Sequence, residues 1–130
     1  MTFSYPWTGL ATIAALLVFI WTIAVVGRSR VLYGIKAPAT SGDPAFERAF
    51  RVQMNTLEQL VLLLPALWLA AAVFSDRWAA LAGGVWCLGR IVYARAYYAD
   101  AAKRSPGYML TAIPTIILLI LAAFSILRGF

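Results

Sequence analysis

The sequence predicts an all-α membrane protein in which a single domain forms a bundle of four transmembrane helices. Of its 130 residues, 63% are hydrophobic and only 12% are charged. A soluble domain of this size has too little interior to bury so much apolar surface. Most of the apolar residues fall into four segments, each close to the ~20 residues that cross a ~30 Å hydrocarbon layer as a helix.

The four predicted spans cover residues 7–26, 52–74, 78–98 and 109–127 of the one domain, residues 1–130. Backbone polar groups in lipid must be bonded within the segment, which favours helices over open strands. The longest predicted connection covers residues 28–47. In the third connection, either Pro106 or Gly107 ends one helix or starts the next.

Composition also excludes several classes of function. The net charge is +6, but the basic residues do not form the solvent-exposed cluster typical of nucleic-acid binding. The one cysteine, Cys87, allows no intrachain disulfide. Histidine is absent, which removes the commonest side-chain base and zinc ligand, and no metal is expected.

The distribution of positive charge predicts the orientation in the membrane. Basic residues flank the first and third connections, and only Arg77 and Arg128 lie on the other side. By the positive-inside rule, loops one and three face the cytoplasm and both termini face outward. The N-terminus lacks a basic leader, and the first span is too long for a signal-peptide core. Together with the Ala-, Leu- and Arg-rich composition, this favours a bacterial inner membrane.

Two polar stripes lie in the cytoplasmic half of the second and third spans. At 100° per residue, Arg51, Asn55 and Glu58 fall within a wedge of about 60° on one helix face. On the third span, a comparable wedge is shared by Arg90, Tyr93, Tyr97 and Arg104. A charge at the centre of a membrane helix costs roughly 2.5–3.5 kcal/mol, and such residues usually face a bundle interior or a wet cavity.

The stripes allow a structural and a functional interpretation. Taken singly, the residues can form ion pairs such as Glu47–Arg51 or Glu58–Arg90, and the tyrosines can sit at the membrane interface. Taken together, two stripes of matching chemistry favour a ligand site. Guanidinium groups bind carboxylates in pairs of hydrogen bonds, and a carboxylate holds an ammonium group. A small zwitterionic ligand with net negative charge, such as the thiol peptide glutathione, fits this set.

Two stretches of the sequence also carry a family resemblance. The stretches "FERAFRVQMNTLEQL" and "GRIVYARAYYADAAKRSPGY" resemble the two signatures of the MAPEG family, the membrane-associated proteins in eicosanoid and glutathione metabolism. The similarity extends from about residue 28 to the last span. It implies four helices per subunit, a homotrimer, and a glutathione site between adjacent subunits.

The resemblance assigns roles by position. It implies that Arg51, Asn55 and Glu58 hold the γ-glutamyl end of glutathione. It places Gln53 and Arg30 near the glycine carboxylate, and it completes the pocket with Arg90, Tyr93 and Tyr97. Arg104 resembles the catalytic arginine of the family, which stabilises the glutathione thiolate.

Three positions refine the resemblance. Ser105 after Arg104 is similar to the microsomal prostaglandin E synthases, where the serine is a proposed partner of the thiolate, but a serine before Pro106 equally suits a helix N-cap. Gln59 stands where leukotriene-C synthases have tyrosine, and Val31 replaces a second arginine. Both departures weigh against a leukotriene-forming activity without removing the glutathione site.

The resulting functional prediction is an integral-membrane glutathione transferase, with or without glutathione-dependent peroxidase activity. Its partners are glutathione as co-substrate, a hydrophobic electrophile dissolved in the bilayer, and membrane lipids. The alternative is a non-catalytic transporter or regulatory subunit on the same scaffold. Small four-helix carriers use a membrane-embedded glutamate, and Glu58 is the candidate for that role.

The predicted orientation can be tested at Arg30. A membrane-impermeant arginine reagent should modify Arg30 only when it is applied to the cytoplasmic face, because the first loop lies on that side. The reagent is applied to right-side-out and inside-out vesicles, and the modified peptide is quantified by mass spectrometry. Modification from the outer face alone contradicts the orientation.

Overall fold

The computed structural model describes residues 2–129, and these form four long helices and no strand. The helices are α1 (Pro6–Tyr33), α2 (Pro44–Val73), α3 (Asp76–Ala99) and α4 (Ser105–Leu127). A short 3-10 turn, Ala101–Arg104, precedes α4. The predicted all-α class is confirmed.

The first connection is shorter than predicted, because both helices beside it run past the apolar residues. Helix α1 continues to Tyr33 and α2 begins at Pro44, so residues 34–43 replace the predicted 28–47. Gly34 ends α1 in the left-handed conformation, with φ 65°, and its N–H bonds the carbonyl of Arg30. Asp43 starts α2 by accepting a hydrogen bond from the N–H of Ala45 at 2.8 Å. Hydropathy identifies only the apolar part of each helix, which is the part long enough to cross the lipid. The capping residues Gly34 and Asp43 determine where α1 ends and where α2 begins.

The junction between α3 and α4 also differs from the prediction. Helix α3 ends at Ala99 because Asp100 is extended, with φ −159° and ψ 118°. The assignment of Arg104 to the polar face of the third helix is therefore wrong, since Arg104 belongs to the 3-10 turn. Pro106 lies in the first turn of α4 and so starts that helix rather than ending the previous one.

Helices α2 and α3 form the centre of the bundle, since each packs against the other and against both α1 and α4. The main core is built largely from small residues, which let helix backbones approach closely. Its fully buried members include Ala15, Leu63, Ala66, Leu67, Ala70 and Trp86. Larger apolar side chains, such as Ile20 on α1 and Ile120 on α4, point outward and are 56% and 61% exposed.

This outward-facing apolar surface agrees with a membrane location. Helices α1 and α2, and the segment Ala101–Leu127, are long and apolar enough to cross a bilayer. Helix α3 has 24 residues, about 36 Å at ~1.5 Å per residue. Helix α3 is not apolar enough to be counted with these three, because Arg90 and Arg95 lower its mean hydropathy. The third span therefore stays a prediction.

One end of the bundle is tightly closed. Only Phe74 and Ser75 separate α2 from α3. At the same end, the carboxylate of Asp76 accepts hydrogen bonds from the N–H groups of Trp7 at 3.2 Å and Thr8 at 2.8 Å. These are unpaired donors of the first turn of α1, and a carboxylate is favourable there. Asp76 thus ties the start of α1 to the start of α3.

At the opposite end, α3 and α4 come into backbone contact through glycine. A Cβ atom on Gly107 would overlap the backbone N and Cα of Tyr93. One on Gly89 would lie 2.8 Å from the carbonyl carbon of Leu110. The absence of side chains at these positions brings the start of α4 directly against the polar face of α3.

We expect Gly107→Ala to lower the free energy of unfolding by roughly 1–3 kcal/mol, since the added methyl group forces the two backbones apart. Thermal unfolding in detergent, followed by circular dichroism, measures the effect. Gly84→Ala is the matched control because a Cβ there meets nothing within 4 Å. Equal melting temperatures for the Gly107 variant and the wild type would contradict the close approach.

Candidate active site

A polar cleft of about 450 Å³ opens at the end of the bundle opposite the α2–α3 turn. Its volume is within the ~300–1,000 Å³ range of small-molecule sites. Helices α2, α3 and α4 and the 3-10 turn all contribute to it. Its lining residues are Arg51, Asn55, Glu58, Gln59, Arg90, Tyr93, Tyr97, Arg104 and Tyr108.

The cleft unites the two stripes identified in the sequence. Seven of the ten predicted site residues line it, namely Arg51, Asn55, Glu58, Arg90, Tyr93, Tyr97 and Arg104. The first three share one face of α2, as the 100° periodicity predicts. Arg104 reaches the same cleft by way of the 3-10 turn rather than by a continuation of α3.

Arg90 is the most deeply buried charged residue of the cleft, with 1% of its surface exposed. Its Nε–H donates a hydrogen bond to the hydroxyl of Thr56 at 3.0 Å. Its guanidinium lies over the ring of Tyr93, with Cζ 3.7 Å from the ring centroid. Neither Nη1 nor Nη2 has a hydrogen-bond partner. Glu58 therefore makes no hydrogen bond to Arg90.

The two tyrosines of α3 form the wall of the cleft. The ring centroids of Tyr93 and Tyr97 lie 5.6 Å apart. The hydroxyl of Tyr93 accepts a hydrogen bond of 2.7 Å from the side-chain amide of Asn55. This bond crosses from α2 to α3. The amide oxygen of Asn55 is left as an acceptor at the cleft.

The remaining charges lie at the rim. Arg51, Glu58 and Arg104 are exposed to solvent. Arg104 lies near the face of Tyr97, with Cζ 5.9 Å from the ring centroid. Glu58 thus shares the cleft with three arginines, which differs from the isolated, embedded carboxylate that the transporter alternative requires.

Three predicted site residues lie outside the cleft. Arg30 donates from Nη1 to the carbonyl of Ala39 at 2.7 Å and so holds the first loop. Gln53 is two residues from Arg51, about 200° around α2, and faces away. Ser105 is exposed at the first residue of α4 and is helical, with φ −59° and ψ −44°. The helix-cap interpretation of Ser105 is wrong, because the N-cap position is Arg104, whose side chain makes no capping bond.

Tyr108 and Thr56 are features of the site that the sequence did not reveal. Tyr108 is 46% exposed and contributes to the lining from α4. Interface tyrosines are common in membrane helices, so its sequence context gave no signal. Thr56 is completely buried and contacts Arg90 from behind. Among residues 2–129, no group of three or more acidic or cysteine residues is placed to hold a metal ion.

Comparison with known proteins identifies the family. The MAPEG family model matches residues 8–124, nearly the whole chain. The chain belongs to the MAPEG family. An uncharacterised protein from Synechocystis is 46% identical over 121 residues, which cover 93% of this chain and 88% of the relative.

Two relatives of this MAPEG chain carry names that state an activity. Human microsomal glutathione S-transferase 2 is 35% identical over 105 residues, or 81% of this chain and 71% of the relative. Rat leukotriene C4 synthase is 33% identical over 124 residues, or 93% of this chain and 82% of the relative. Family and relatives together support a glutathione-related activity at a membrane.

The buried charge of Arg90 leads to a stability prediction. Arg90→Met should raise the melting temperature of the ligand-free MAPEG protein, because it removes the desolvation cost of a buried charge, which is several kcal/mol per ion. Differential scanning calorimetry in one detergent provides the measurement. Arg95→Met, at an exposed position on the same helix, is the control. A lower melting temperature for the Arg90 variant would show that Arg90 stabilises the empty protein.

Proposed function

We propose that this chain is an integral-membrane glutathione transferase that activates glutathione as a thiolate. The observation that carries the proposal is the guanidinium of Arg90, a residue that lines the cleft with two further arginines and whose Nη1 and Nη2 are buried without a hydrogen-bond partner. A buried polar group without a partner is costly and rare, and a ligand that pairs with it would explain its presence at the cleft. A carboxylate is the natural partner of a guanidinium.

The charge of the cleft supports glutathione in its thiolate form. Three guanidiniums and the carboxylate of Glu58 give the cleft a net charge of +2. Glutathione carries two carboxylates and one ammonium group, and ionisation of its thiol brings its net charge to −2. The arginines suit the carboxylates and the thiolate, and Glu58 suits the ammonium group. The free oxygen of Asn55 offers a further acceptor for that ammonium group.

Arg104 is proposed to lower the pKa of the bound thiol. A free thiol has a pKa near ~8.5 and is mostly protonated at neutral pH, whereas a nearby cation favours the thiolate. A shift of two pH units corresponds to about 2.7 kcal/mol of preferential interaction. Arg104 lies on the 3-10 turn, exposed at the rim, and is proposed to approach the sulfur of a ligand anchored deeper at Arg90.

The proposed reaction is attack of the thiolate on a hydrophobic electrophile from the bilayer. The thiol proton passes to water, and the sulfur electron pair forms a bond to carbon. The acceptor either expels a leaving group or takes up a proton after addition. Glutathione-dependent peroxidase activity would use the same thiolate, with two glutathione molecules oxidised to the disulfide for each hydroperoxide reduced to an alcohol and water. Ser105 remains a proposed partner of the thiolate.

We also propose that the chain crosses the membrane four times, with both termini outward, and forms a homotrimer in a bacterial inner membrane. Arg30 and Gln53, which do not line the cleft of their own chain, are proposed to supply contacts to the cleft of a neighbour. The exposure of Arg51 and Glu58 at the rim suits such an arrangement, because a second copy would cover them together with the bound glutathione. The hydrophobic acceptor enters from the lipid.

The roles of Arg104 and Arg51 can be separated by substitution. Arg104→Ala should abolish the ultraviolet absorbance of the thiolate that appears when glutathione is added to the purified wild type, while the dissociation constant changes less than about fivefold. Arg51→Ala should instead weaken binding by tenfold or more, because it removes a carboxylate contact worth about 1.4 kcal/mol or more. Binding is measured by calorimetry and the thiolate by difference spectroscopy.

Arg28→Ala, an exposed arginine of α1 outside the cleft, is the matched control and should behave like the wild type. If the wild type shows neither binding nor thiolate absorbance, the proposed function is wrong. If Arg104→Ala loses binding and thiolate in equal measure, Arg104 is an anchoring residue and not the activating cation.

A further inference from the structure

Thr56 lies behind the cleft rather than in it. It is completely buried on α2, and it is not among the residues that line the cavity. Its hydroxyl nevertheless forms two hydrogen bonds. It donates to the backbone carbonyl of Val52 at 2.7 Å and accepts from Nε of Arg90 at 3.0 Å. The two bonds place this hydroxyl between the backbone of α2 and a guanidinium of α3.

The direction of the two bonds follows from the chemistry of the hydroxyl group. A threonine hydroxyl has one proton and two acceptor lone pairs. Because the proton points to the carbonyl of Val52, the lone pairs are available to an approaching donor. Arginine carries only N–H donors, so Arg90 can bond only to an acceptor, and the free lone pairs of the Thr56 hydroxyl are such an acceptor.

The bond at Nε determines what the rest of the guanidinium can do. The group is planar with five N–H donors in a fixed fork, so holding Nε–H and stacking the plane on Tyr93 fixes the direction of the other four. Those four belong to Nη1 and Nη2, which have no partner. The guanidinium of Arg90 therefore loses its conformational entropy on folding and not on binding. A site that is preorganised in this way binds its ligand more tightly.

We propose that Thr56 is a positioning residue that aims the Nη1 and Nη2 groups of Arg90 at a carboxylate of the ligand. The ligand identity rests on the proposed function, since glutathione is the carboxylate donor considered there. Thr56 itself touches neither the ligand nor the reacting sulfur. It accepts the hydrogen bond from Nε of Arg90, so that Nη1 and Nη2 are oriented to donate together to the two oxygens of the carboxylate.

A purely structural role for the hydroxyl can be separated by comparison with Thr115. That residue is also buried, and its hydroxyl also donates to the carbonyl four residues before it, at 2.9 Å from Thr111. Thr115 has no arginine on its acceptor side among the hydrogen bonds of the described residues. Thr→Val at both positions removes a similar internal bond, but only Thr56→Val removes the support of Arg90.

The experiment compares Thr56→Val, Thr56→Ser and Thr115→Val in detergent-purified full-length protein. Thr56→Val should weaken glutathione binding about tenfold by calorimetry, while the pH midpoint of thiolate formation at saturating glutathione stays that of the wild type. Thr56→Ser keeps the hydroxyl and should remain within about threefold of the wild type. Thr115→Val should not change the dissociation constant.

A second measurement does not depend on glutathione. The Nε–H resonance of Arg90 in nitrogen-edited NMR should be protected from solvent exchange in the wild type and in Thr56→Ser, and should be lost in Thr56→Val. In an Arg90→Met background, Thr56→Val should have no further effect on binding, because the two residues act as one unit. A variant that merely misfolds would lose binding in that background too, and size-exclusion chromatography would show it.

The outcomes separate the two proposals. Unchanged binding and an unchanged Nε–H resonance in Thr56→Val overturn the positioning role, whatever the ligand is. A further loss of binding when Thr56→Val is added to Arg90→Met also overturns it. A third outcome is that the wild type binds no glutathione while Thr56→Val still loses the protected Nε–H resonance of Arg90. In that case the proposed function is wrong, but the hydrogen bond by which Thr56 orients Arg90 is confirmed.

Discussion

The site depends on one buried cation. Arg90 is almost completely removed from solvent, yet only one side of its guanidinium is hydrogen-bonded inside the protein, to Thr56. The ring of Tyr93 covers one face of the group at 3.7 Å. A cation in this state is costly in the empty protein and strongly attractive to an anion, because the low dielectric of the interior strengthens both effects. The rest of the cleft surrounds that unsatisfied charge with groups that suit the remainder of a small, doubly acidic molecule.

The packing of the bundle brings the necessary side chains around Arg90. Small residues in the core let α2 lie close to α3, so that the amide of Asn55 reaches the hydroxyl of Tyr93 at 2.7 Å. Gly107 lets the start of α4 rest on the backbone of Tyr93, which places the 3-10 turn with Arg104 at the rim. Glycine at this position has little value for the helix itself, since it weakens helices relative to alanine. Its presence is explained by the contact between two backbones.

Much of this arrangement could be predicted from the sequence. Hydropathy located the four helices, and the 100° periodicity put Arg51, Asn55 and Glu58 on one face. Helix lengths were underestimated, because the polar ends of α1 and α2 are set by Gly34 and Asp43 and not by apolar content. The position of Arg104 was right for the cleft but wrong for the helix, since an extended Asp100 interrupts α3. The support from Thr56 could not be predicted, because a buried threonine that bonds its own helix looks the same in sequence whether or not an arginine lies beyond it.

The unequal ends of the bundle have a mechanical consequence. Where Asp76 holds the first turn of α1 and two residues join α2 to α3, the helix ends have little room to separate. At the other end, the connections are residues 34–43 and a 3-10 turn, and the close contacts of Gly89 and Gly107 hold α4 against α3. The two ends of the bundle are thus held by different means, one by a carboxylate and a short turn and the other by contacts between helices. A ligand therefore meets a cleft whose walls are already held in place by contacts among α2, α3 and α4.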